Sequence, residues 1–168
     1  LGGTFDPIHI GHVSIATHVL EAFRLDSILL IPAGEPWLKT GRVISNSYHR
    51  LAMADLVAKE HPRIFVSDIE INRPGPSFTA DTLEELHITY GLNLNLSFIL
   101  GMDSYNDISL WHNPSRLFEL ATFIVVSRPG IKLAALNPIE KGIIKNPESI
   151  KFLTGPNVNI SASEIRRR

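Results

Sequence analysis

The opening residues, LGGTFDPIHIGH, gather glycine, proline and histidine into a pattern that suits phosphate binding. Gly2 and Gly3 let the backbone come close to a ligand, because they carry no Cβ. Pro7 fixes the turn that follows, and Gly11 allows the next helix to begin tightly. The N-terminus of a helix attracts anions through its unpaired N–H groups and its dipole. This stretch therefore predicts an anion site at a helix start.

His9 and His12 lie three residues apart at that helix entry, where both are expected to face the anion. The spacing is not the dinucleotide fingerprint, and no Gly-Lys-Ser/Thr follows, which excludes a Walker loop. Two imidazoles at a phosphate site suit phosphoryl or nucleotidyl transfer, because positioned donors stabilise charge on the transferring oxygens. Two plainer interpretations stay open: a His-x-x-His metal site, with only Asp6 nearby, and a pair of capping residues.

The elements that position these residues follow from the hydrophobic pattern. Apolar β-rich runs bounded by Pro, Gly or Asp alternate with helical periodicities, which predicts a three-layer α/β fold with a mostly parallel sheet. Ligands of such sheets bind outside the carboxyl ends of the strands. Ser45 or Ser47 is the expected N-cap of the second helix. Strands are predicted over 27–34, 63–71, 96–103 and 121–130, and helices over 11–24, 45–60, 79–90 and 113–121.

The composition limits the classes of function. The 168 residues are 44% hydrophobic and 20% charged, and they fit a single domain over 1–168. The formal net charge of −1 suggests no nucleic-acid or membrane-surface partner. The absence of cysteine excludes disulfides and thiolate sites. No apolar run reaches the ~20 residues of a membrane span, so we expect a cytoplasmic protein. Because the chain begins abruptly in a motif, residues are expected to be missing before Leu1 and after Arg168, and a homo-oligomer stays open.

Two end motifs resemble one family. Within GGTFDPIHIGH, the stretch TFDPIHIGH resembles the (T/S)-x-x-x-x-H-x-G-H signature of the nucleotidyltransferase superfamily. The whole stretch resembles the corresponding motif of the bacterial nicotinate-mononucleotide adenylyltransferase family. NISASEIRRR resembles the superfamily's I-S-x-(S/T)-x-I-R motif. Weaker matches, PSFTADTLEEL, ILGMDSYNDISLW and SRPG, follow in the family's order. The resemblance spans Gly2 to Arg166 and implies a Rossmann-like nucleotidyltransferase fold.

The resemblance also implies a reaction. Nicotinate mononucleotide would attack ATP, giving nicotinate adenine dinucleotide and pyrophosphate, with Mg²⁺ carried by ATP. The charge state of the attacking phosphate is consistent with this reaction. A phosphate monoester with a second pKa of about 6 is mostly dianionic at neutral pH, so it needs no general base. Positioning and charge stabilisation would then supply the catalysis.

Family motifs assign roles to residues of the ATP side. The histidines would bind the ATP phosphates and stabilise the charge that develops at the α-phosphate. Lys39 would bridge the acceptor phosphate and the α-phosphate, with a solvated loop lysine as the alternative. Ser161 and Ser163 match the distal motif, whose helix N-terminus would hold the β- and γ-phosphates with Arg166 as the charged clamp; a plain serine N-cap is the alternative for the two serines. The catalytic residues so implied are His9, His12, Lys39 and Arg166, and the ATP-binding residues are Gly3, Thr4, Phe5, Gly11, Gly101, Asp103, Arg128, Ser161 and Ser163.

Three residues are implied for the nicotinate mononucleotide. Trp111 would stack on the pyridine ring, with a core tryptophan as the alternative. Thr79 and Thr82 fall where the family's helix start meets the pyridine carboxylate, and an anion there would favour the acid over the amide. Trp37 and Leu38 stand where the family commonly has Pro-His, so one polar contact of this loop with the acceptor is expected to be lost or replaced.

Other interpretations of these motifs predict a different acceptor or no reaction. Nicotinamide mononucleotide or phosphopantetheine would keep the mechanism. The cytidylyltransferases share the histidine signature but end in a differently shaped motif, unlike ISASEIR. A non-catalytic ATP sensor would keep the fold and bind ATP without turnover.

Overall fold

The computed structural model is an α/β fold of parallel strands and connecting helices, which confirms the predicted class. The described part of the chain comprises residues 1–39, 41, 43–91, 93–127 and 142–168. It forms two compact units, the first of Leu1–Ser77 with Pro156–Arg168 and the second of Phe78–Gly155. That the whole chain is one nucleotidyltransferase domain stays a prediction.

Six strands and seven α-helices fall within the described residues. The strands are β1 (Gly2–Gly3), β2 (Ile28–Pro32), β3 (Ile64–Val66), β4 (Ser97–Gly101), β5 (Thr122–Ser127) and β6 (Ile150–Thr154). The helices are α1 (Ile10–Ala22), α2 (Ser47–Lys59), α3 (Ile69–Asn72), α4 (Thr79–Tyr90), α5 (Met102–Asn106), α6 (Pro114–Leu120) and α7 (Ala162–Arg167). Short 3₁₀ turns cover Trp37–Lys39, Ile108–Leu110 and Pro147–Ser149. None of these helices is long and apolar enough to cross a membrane.

The first unit is built on a parallel sheet of order β1-β2-β3. Gly3 pairs with Pro32, so the carboxyl ends of β1 and β2 lie side by side. Helix α1 buries one face at helical spacing, which includes Val13, Ala16 and Leu20. Helix α2 packs on β2 and β3. The turns that follow β1 and β2 are therefore neighbours, at the edge where a ligand is expected.

The second unit carries a parallel sheet of order β4-β5-β6. Nearly every residue of β5 is buried, as expected for a central strand covered on both faces. Tyr105, Ile108, Leu117 and Phe123 have no exposed surface and form the centre of its core. Helix α5 packs on β4 and β5, and α4 packs on α6.

Two local predictions are wrong. The strand predicted over 63–71 ends at Val66, since α3 begins at Ile69 with Asp68 as its N-cap residue and the Ser67 hydroxyl accepts the Ile69 N–H at 3.3 Å. The N-cap of α2 is Asn46 rather than Ser45 or Ser47, since the Asn46 carboxamide oxygen accepts the Tyr48 N–H at 2.9 Å.

Replacing Gly34, in the turn after β2, by alanine should lower the free energy of unfolding by about 3 kcal/mol. A Cβ there would lie 2.2 Å from the Glu70 carbonyl oxygen, so the backbone itself must move. Denaturant unfolding followed by circular dichroism measures the loss. Gly101→Ala is the matched control, because its Cβ would meet no described atom within 4 Å. Equal losses in the two variants would contradict the packing argument.

Candidate active site

The turn after β1 is shaped by a close approach between its own residues. A Cβ on Gly3 would lie 2.8 Å from the Phe5 ring, so only glycine fits there without a shift. Phe5 is 2% exposed and has a φ of 50°, a left-handed conformation that is rare for a bulky residue and costs about 1–3 kcal/mol. Burial of the ring offsets that cost. A cis peptide bond joins Asp6 to Pro7 and leads into α1.

The two predicted histidines come together at the start of α1. His9 is the N-cap residue, and its ring centroid lies 3.8 Å from that of His12. The Nδ1 atom of His9 accepts the N–H of Gly11 at 3.2 Å, and the Nδ1 atom of His12 accepts the N–H of His9 at 3.2 Å. The edge of Phe5 packs against His12, with centroids 5.0 Å apart.

These hydrogen bonds fix the tautomers of both rings. A neutral imidazole has one acceptor nitrogen and one N–H donor. Because each Nδ1 accepts a backbone N–H, the proton of each ring lies on Nε2. Burial lowers the pKa of His9, which favours the same neutral form. The start of α1 thus carries two oriented Nε2–H donors, which suits the stabilisation of an anionic oxygen. The histidines also cap the helix, so the capping interpretation and the functional one are compatible.

The cap makes stability depend on pH through His9. Its pKa is lowered in the folded state, so the unfolded chain binds more protons once the pH falls below about 6.5. The contribution of His9 to stability is therefore complete above that pH and is lost as the pH falls toward the lowered pKa. Protonated Nδ1 can no longer accept the Gly11 N–H, at a cost of about 1 kcal/mol.

Replacing His9 by asparagine should remove this dependence, because asparagine caps a helix without titrating in this range. Thermal unfolding of both proteins between about pH 7.5 and pH 5 measures it. We expect similar midpoints at the upper pH and a lower midpoint for the native protein at the lower pH. Parallel curves for the two proteins would contradict the assignment.

The C-terminal segment returns to the start of α1. A Cβ on Gly11 would lie 3.0 Å from the His9 ring and 3.2 Å from the Ile160 side chain, so a larger residue there would displace these side chains by a few tenths of an ångström. Ser161 is the N-cap of α7, with its hydroxyl accepting the Glu164 N–H at 3.2 Å. The hydroxyl of Ser163 accepts from Arg166 at 3.2 Å.

Arg166 lies beside the turn that precedes α1. Its Nη1 atom donates to the carbonyl oxygen of Asp6 and lies 4.0 Å from the Asp6 carboxylate. The Arg166 side chain is 39% exposed, so part of its charge stays accessible. The structure therefore brings together Arg166, His9 and His12, from opposite ends of the sequence, in one corner of the first unit.

Two further residues of this corner were not found by the sequence patterns. Asp6 is only 7% exposed, and its carboxylate accepts the N–H of Ser45 at 3.4 Å. Arg50 is 1% exposed and donates to the carbonyl oxygen of Thr4 at 2.7 Å. Burial lowers the pKa of Arg50, while the Asp6 carboxylate raises it. The signal for Asp6 was its place inside the opening motif, whereas a lone arginine on a helix gave no signal.

The residues predicted for the acceptor lie in the second unit. Thr79 opens α4, and the N-cap residue Phe78 makes no side-chain capping hydrogen bond. The Thr82 side chain is buried, and its hydroxyl donates to the Phe78 carbonyl at 3.2 Å. Trp111 is half-buried and packs against the core, so the core interpretation holds for part of its surface. Its Nε1–H is buried and has no hydrogen-bond partner among the described residues.

Comparison with known proteins identifies the family. Residues 1–168 match the family model described as Cytidylyltransferase-like. A Roseiflexus sp. (strain RS-1) protein named a probable nicotinate-nucleotide adenylyltransferase is 48% identical over 170 residues, covering 100% of this chain and 83% of that protein. A Thermomicrobium roseum protein of the same name is 40% identical over 167 residues, covering 99% and 77%. This chain belongs to the nicotinate-nucleotide adenylyltransferase family.

Solved structures share the fold of this adenylyltransferase family member. The Plasmodium falciparum nicotinic acid mononucleotide adenylyltransferase complexed with NaAD has a TM-score of 0.77 at 23% identity, covering 99% of this chain and 80% of that one. A nicotinate-nucleotide adenylyltransferase structure from Vibrio parahaemolyticus, described as putative in its own name, has a TM-score of 0.60 at 19% identity, covering 98% and 87%. These likenesses confirm the expected Rossmann-like nucleotidyltransferase fold.

The remaining family positions lie at the end of β4, in α5 and in the segment after β2. Gly101 ends β4, and Asp103 lies exposed in the first turn of α5. The backbone of Lys39 lies in a 3₁₀ turn, and its side chain falls outside the described part, as does Arg128. Within the described residues, no group of three or more His, Cys, Asp or Glu side chains could hold a metal ion.

Proposed function

We propose that this chain transfers the adenylyl group of ATP to nicotinate mononucleotide, giving nicotinate adenine dinucleotide and pyrophosphate for the synthesis of NAD. The observation that carries the proposal is the start of α1, where His9 and His12 both accept backbone N–H groups through Nδ1 and so present Nε2–H donors. Relatives that are 37–48% identical over the whole chain carry the corresponding name. ATP and nicotinate mononucleotide are the substrates of this proposal, with no nucleic acid involved.

The proposed reaction requires little covalent chemistry from the protein. An oxygen of the nucleotide's phosphate attacks the α-phosphorus of ATP, a new P–O bond forms, and the bond to the bridging oxygen of pyrophosphate breaks. The attacking phosphate, with a second pKa of about 6, needs no base at neutral pH. Negative charge grows on the α-phosphate oxygens and on the leaving pyrophosphate. The Nε2–H groups of His9 and His12 would donate to these oxygens, in a preorganised arrangement that costs no reorganisation.

The rest of the corner would bind the phosphates of ATP. The turn formed by Gly3, Thr4 and Phe5 would offer its backbone, and Gly11 keeps the entry to α1 free of a Cβ. Arg166 would contact the β- and γ-phosphates with its guanidinium, and Ser161 and Ser163 would support it. Gly101, Asp103 and Arg128 stay assigned to ATP on the family motifs, and Lys39 to the reacting phosphates.

The acceptor assignment rests on three residues of the second unit. Because the Thr82 hydroxyl is used by the Phe78 carbonyl, recognition of the pyridine carboxylate would fall mainly to backbone N–H groups at the start of α4. Thr79 is the first residue of that helix. Trp111 would stack on the pyridine ring with the part of its surface that the core leaves uncovered.

In the proposed reaction, Mg²⁺ enters the site bound to ATP. Mg²⁺ prefers oxygen ligands and commonly binds through substrate phosphates. We therefore assign it to ATP and to pyrophosphate rather than to a resident metal site. We also keep the cytoplasm as the proposed location and leave a homo-oligomer to measurement.

Release of pyrophosphate from Mg-ATP tests the proposal. Nicotinate mononucleotide, nicotinamide mononucleotide and phosphopantetheine are compared as acceptors, with His12→Ala as the inactive control. We expect the highest kcat/KM with the nicotinate nucleotide. Faster turnover with either other acceptor would keep the mechanism and overturn the acceptor. Binding of ATP without turnover of any acceptor would identify a sensor and overturn the enzyme function.

A further inference from the structure

Arg50 makes an unusual set of hydrogen bonds for a buried arginine. It is 1% exposed, and its three nitrogens each donate to a main-chain carbonyl: Nη1 to Thr4 at 2.7 Å, Nη2 to Gly34 at 3.2 Å, and Nε to Ser45 at 2.9 Å. We propose that Arg50 is a positioning residue that sets the geometry of adenylyl transfer by joining the turn after β1 to the turn after β2. This inference rests on the proposed function.

The turn after β1 contains the groups assigned to the phosphates. Thr4, whose carbonyl Arg50 holds, leads within two residues to Asp6. Asp6 in turn accepts from Arg166 and lies just before the histidines of α1. A shift of the Thr4 carbonyl therefore moves both the arginine clamp and the start of α1.

The turn after β2 begins the segment that the family motifs assign to the reacting phosphates. Ala33 donates its N–H to the Gly3 carbonyl at 2.9 Å, and the next residue, Gly34, is held on both sides: its carbonyl accepts from Arg50 and its N–H donates to the Ser77 hydroxyl at 2.9 Å. The same segment continues to the 3₁₀ turn Trp37–Lys39. Arg50 thus fixes one turn relative to the other, and a displacement of about 1 Å between reacting groups can cost about 10²-fold in rate.

A purely structural role does not require an arginine at this position. Burying a guanidinium is costly, and a well-packed apolar side chain of similar size is often as stabilising. The guanidinium instead offers a rigid planar fork with donors in three directions, which lysine cannot reproduce. The buried Asp6 carboxylate supplies the compensating charge.

The test separates positioning from folding. Arg50→Lys keeps the charge and loses the fork, so we expect kcat with ATP and nicotinate mononucleotide to fall about 30-fold, with both KM values within about threefold. Arg50→Ala should lose more, and millimolar methylguanidinium should restore at least about a tenth of the native kcat. Both variants are assayed well below their unfolding midpoints, measured by circular dichroism. If Arg50→Lys does not fold, Arg50→Ala with and without methylguanidinium decides.

Arg116→Lys is the matched control, because Arg116 is an exposed arginine that pairs with Glu84 and Glu119. Its kcat should equal that of the native protein. A native kcat in folded Arg50→Lys, or a loss in Arg50→Ala that methylguanidinium does not relieve, would overturn the inference and leave the proposed function intact. If the native protein itself releases no pyrophosphate, the proposed function fails and the inference fails with it.

Discussion

Replacing His12 by alanine should lower kcat for pyrophosphate release by about 10³-fold, the upper end of the range for removing one preorganised donor. The neutral His12 ring carries its proton on Nε2, because Nδ1 accepts the His9 N–H. In the proposed reaction that donor meets charge that grows only in the transition state, so kcat should fall more than KM rises. A loss of 10³-fold corresponds to about 4 kcal/mol of transition-state stabilisation.

The stability of this variant distinguishes catalysis from folding. Loss of the capping hydrogen bond should lower the free energy of unfolding by only about 1 kcal/mol. His12→Asn offers a second variant, whose side-chain oxygen can accept the His9 N–H but which has no Nε2 donor at the same reach. We expect it to recover stability without activity. His49→Ala, at an exposed position of α2, is the matched control and should keep the native kcat. A kcat within about tenfold of native in His12→Ala would contradict the role of the ring.

The sequence predicts well those parts of the fold that local pattern determines. Helix α4 covers Thr79–Tyr90 as predicted, because its apolar residues recur at helical spacing and Gly91 follows its end. The histidine pair at the start of α1 can also be predicted from local sequence, since the glycines, the proline and both histidines of the motif lie within residues 2–12. Where the local sequence pattern is ambiguous, the prediction of secondary structure was wrong. The apolar run over 63–71 looks like one strand, yet α3 begins within it at Ile69, whose N–H is accepted by the Ser67 hydroxyl.

Arg50 shows why the rest of the site could not be predicted. Its carbonyl partners lie 5, 16 and 46 residues away in sequence, so no local pattern relates them. On an amphipathic helix, a lone arginine is typical of an exposed face. Its burial follows only from the pairing of Gly3 with Pro32, which places the two turns side by side over α2. The tautomers of the histidines are likewise set by hydrogen-bond geometry, which the residue types leave open.

Replacing Arg166 by methionine should lower kcat/KM for ATP by about 10²- to 10³-fold. The guanidinium is held at the start of α1 by the carbonyl and carboxylate of Asp6, yet 39% of the side chain is exposed and can meet a polyphosphate. Charge-assisted hydrogen bonds to phosphate are about twice as strong as neutral ones, and arginine makes them in pairs. Arg166→Lys keeps a point charge without the fork, so we expect it to recover only part of the loss.

Two controls make the Arg166 prediction specific: the stability of Arg166→Met, and the activity of a variant at the neighbouring Arg167. A partly exposed ion pair contributes at most about 1 kcal/mol, so the unfolding midpoint of Arg166→Met should change little while activity falls. Arg167, the next residue of α7, donates to the Ser163 carbonyl at 3.3 Å and is exposed. Arg167→Met removes the same charge from the same helix, one position further along, and should retain native kcat/KM. Equal losses in the two variants would mean that the basic end of α7 attracts ATP by charge alone. A loss confined to Arg166 would place the effect in the contact with Asp6 and the start of α1, where the two histidines act.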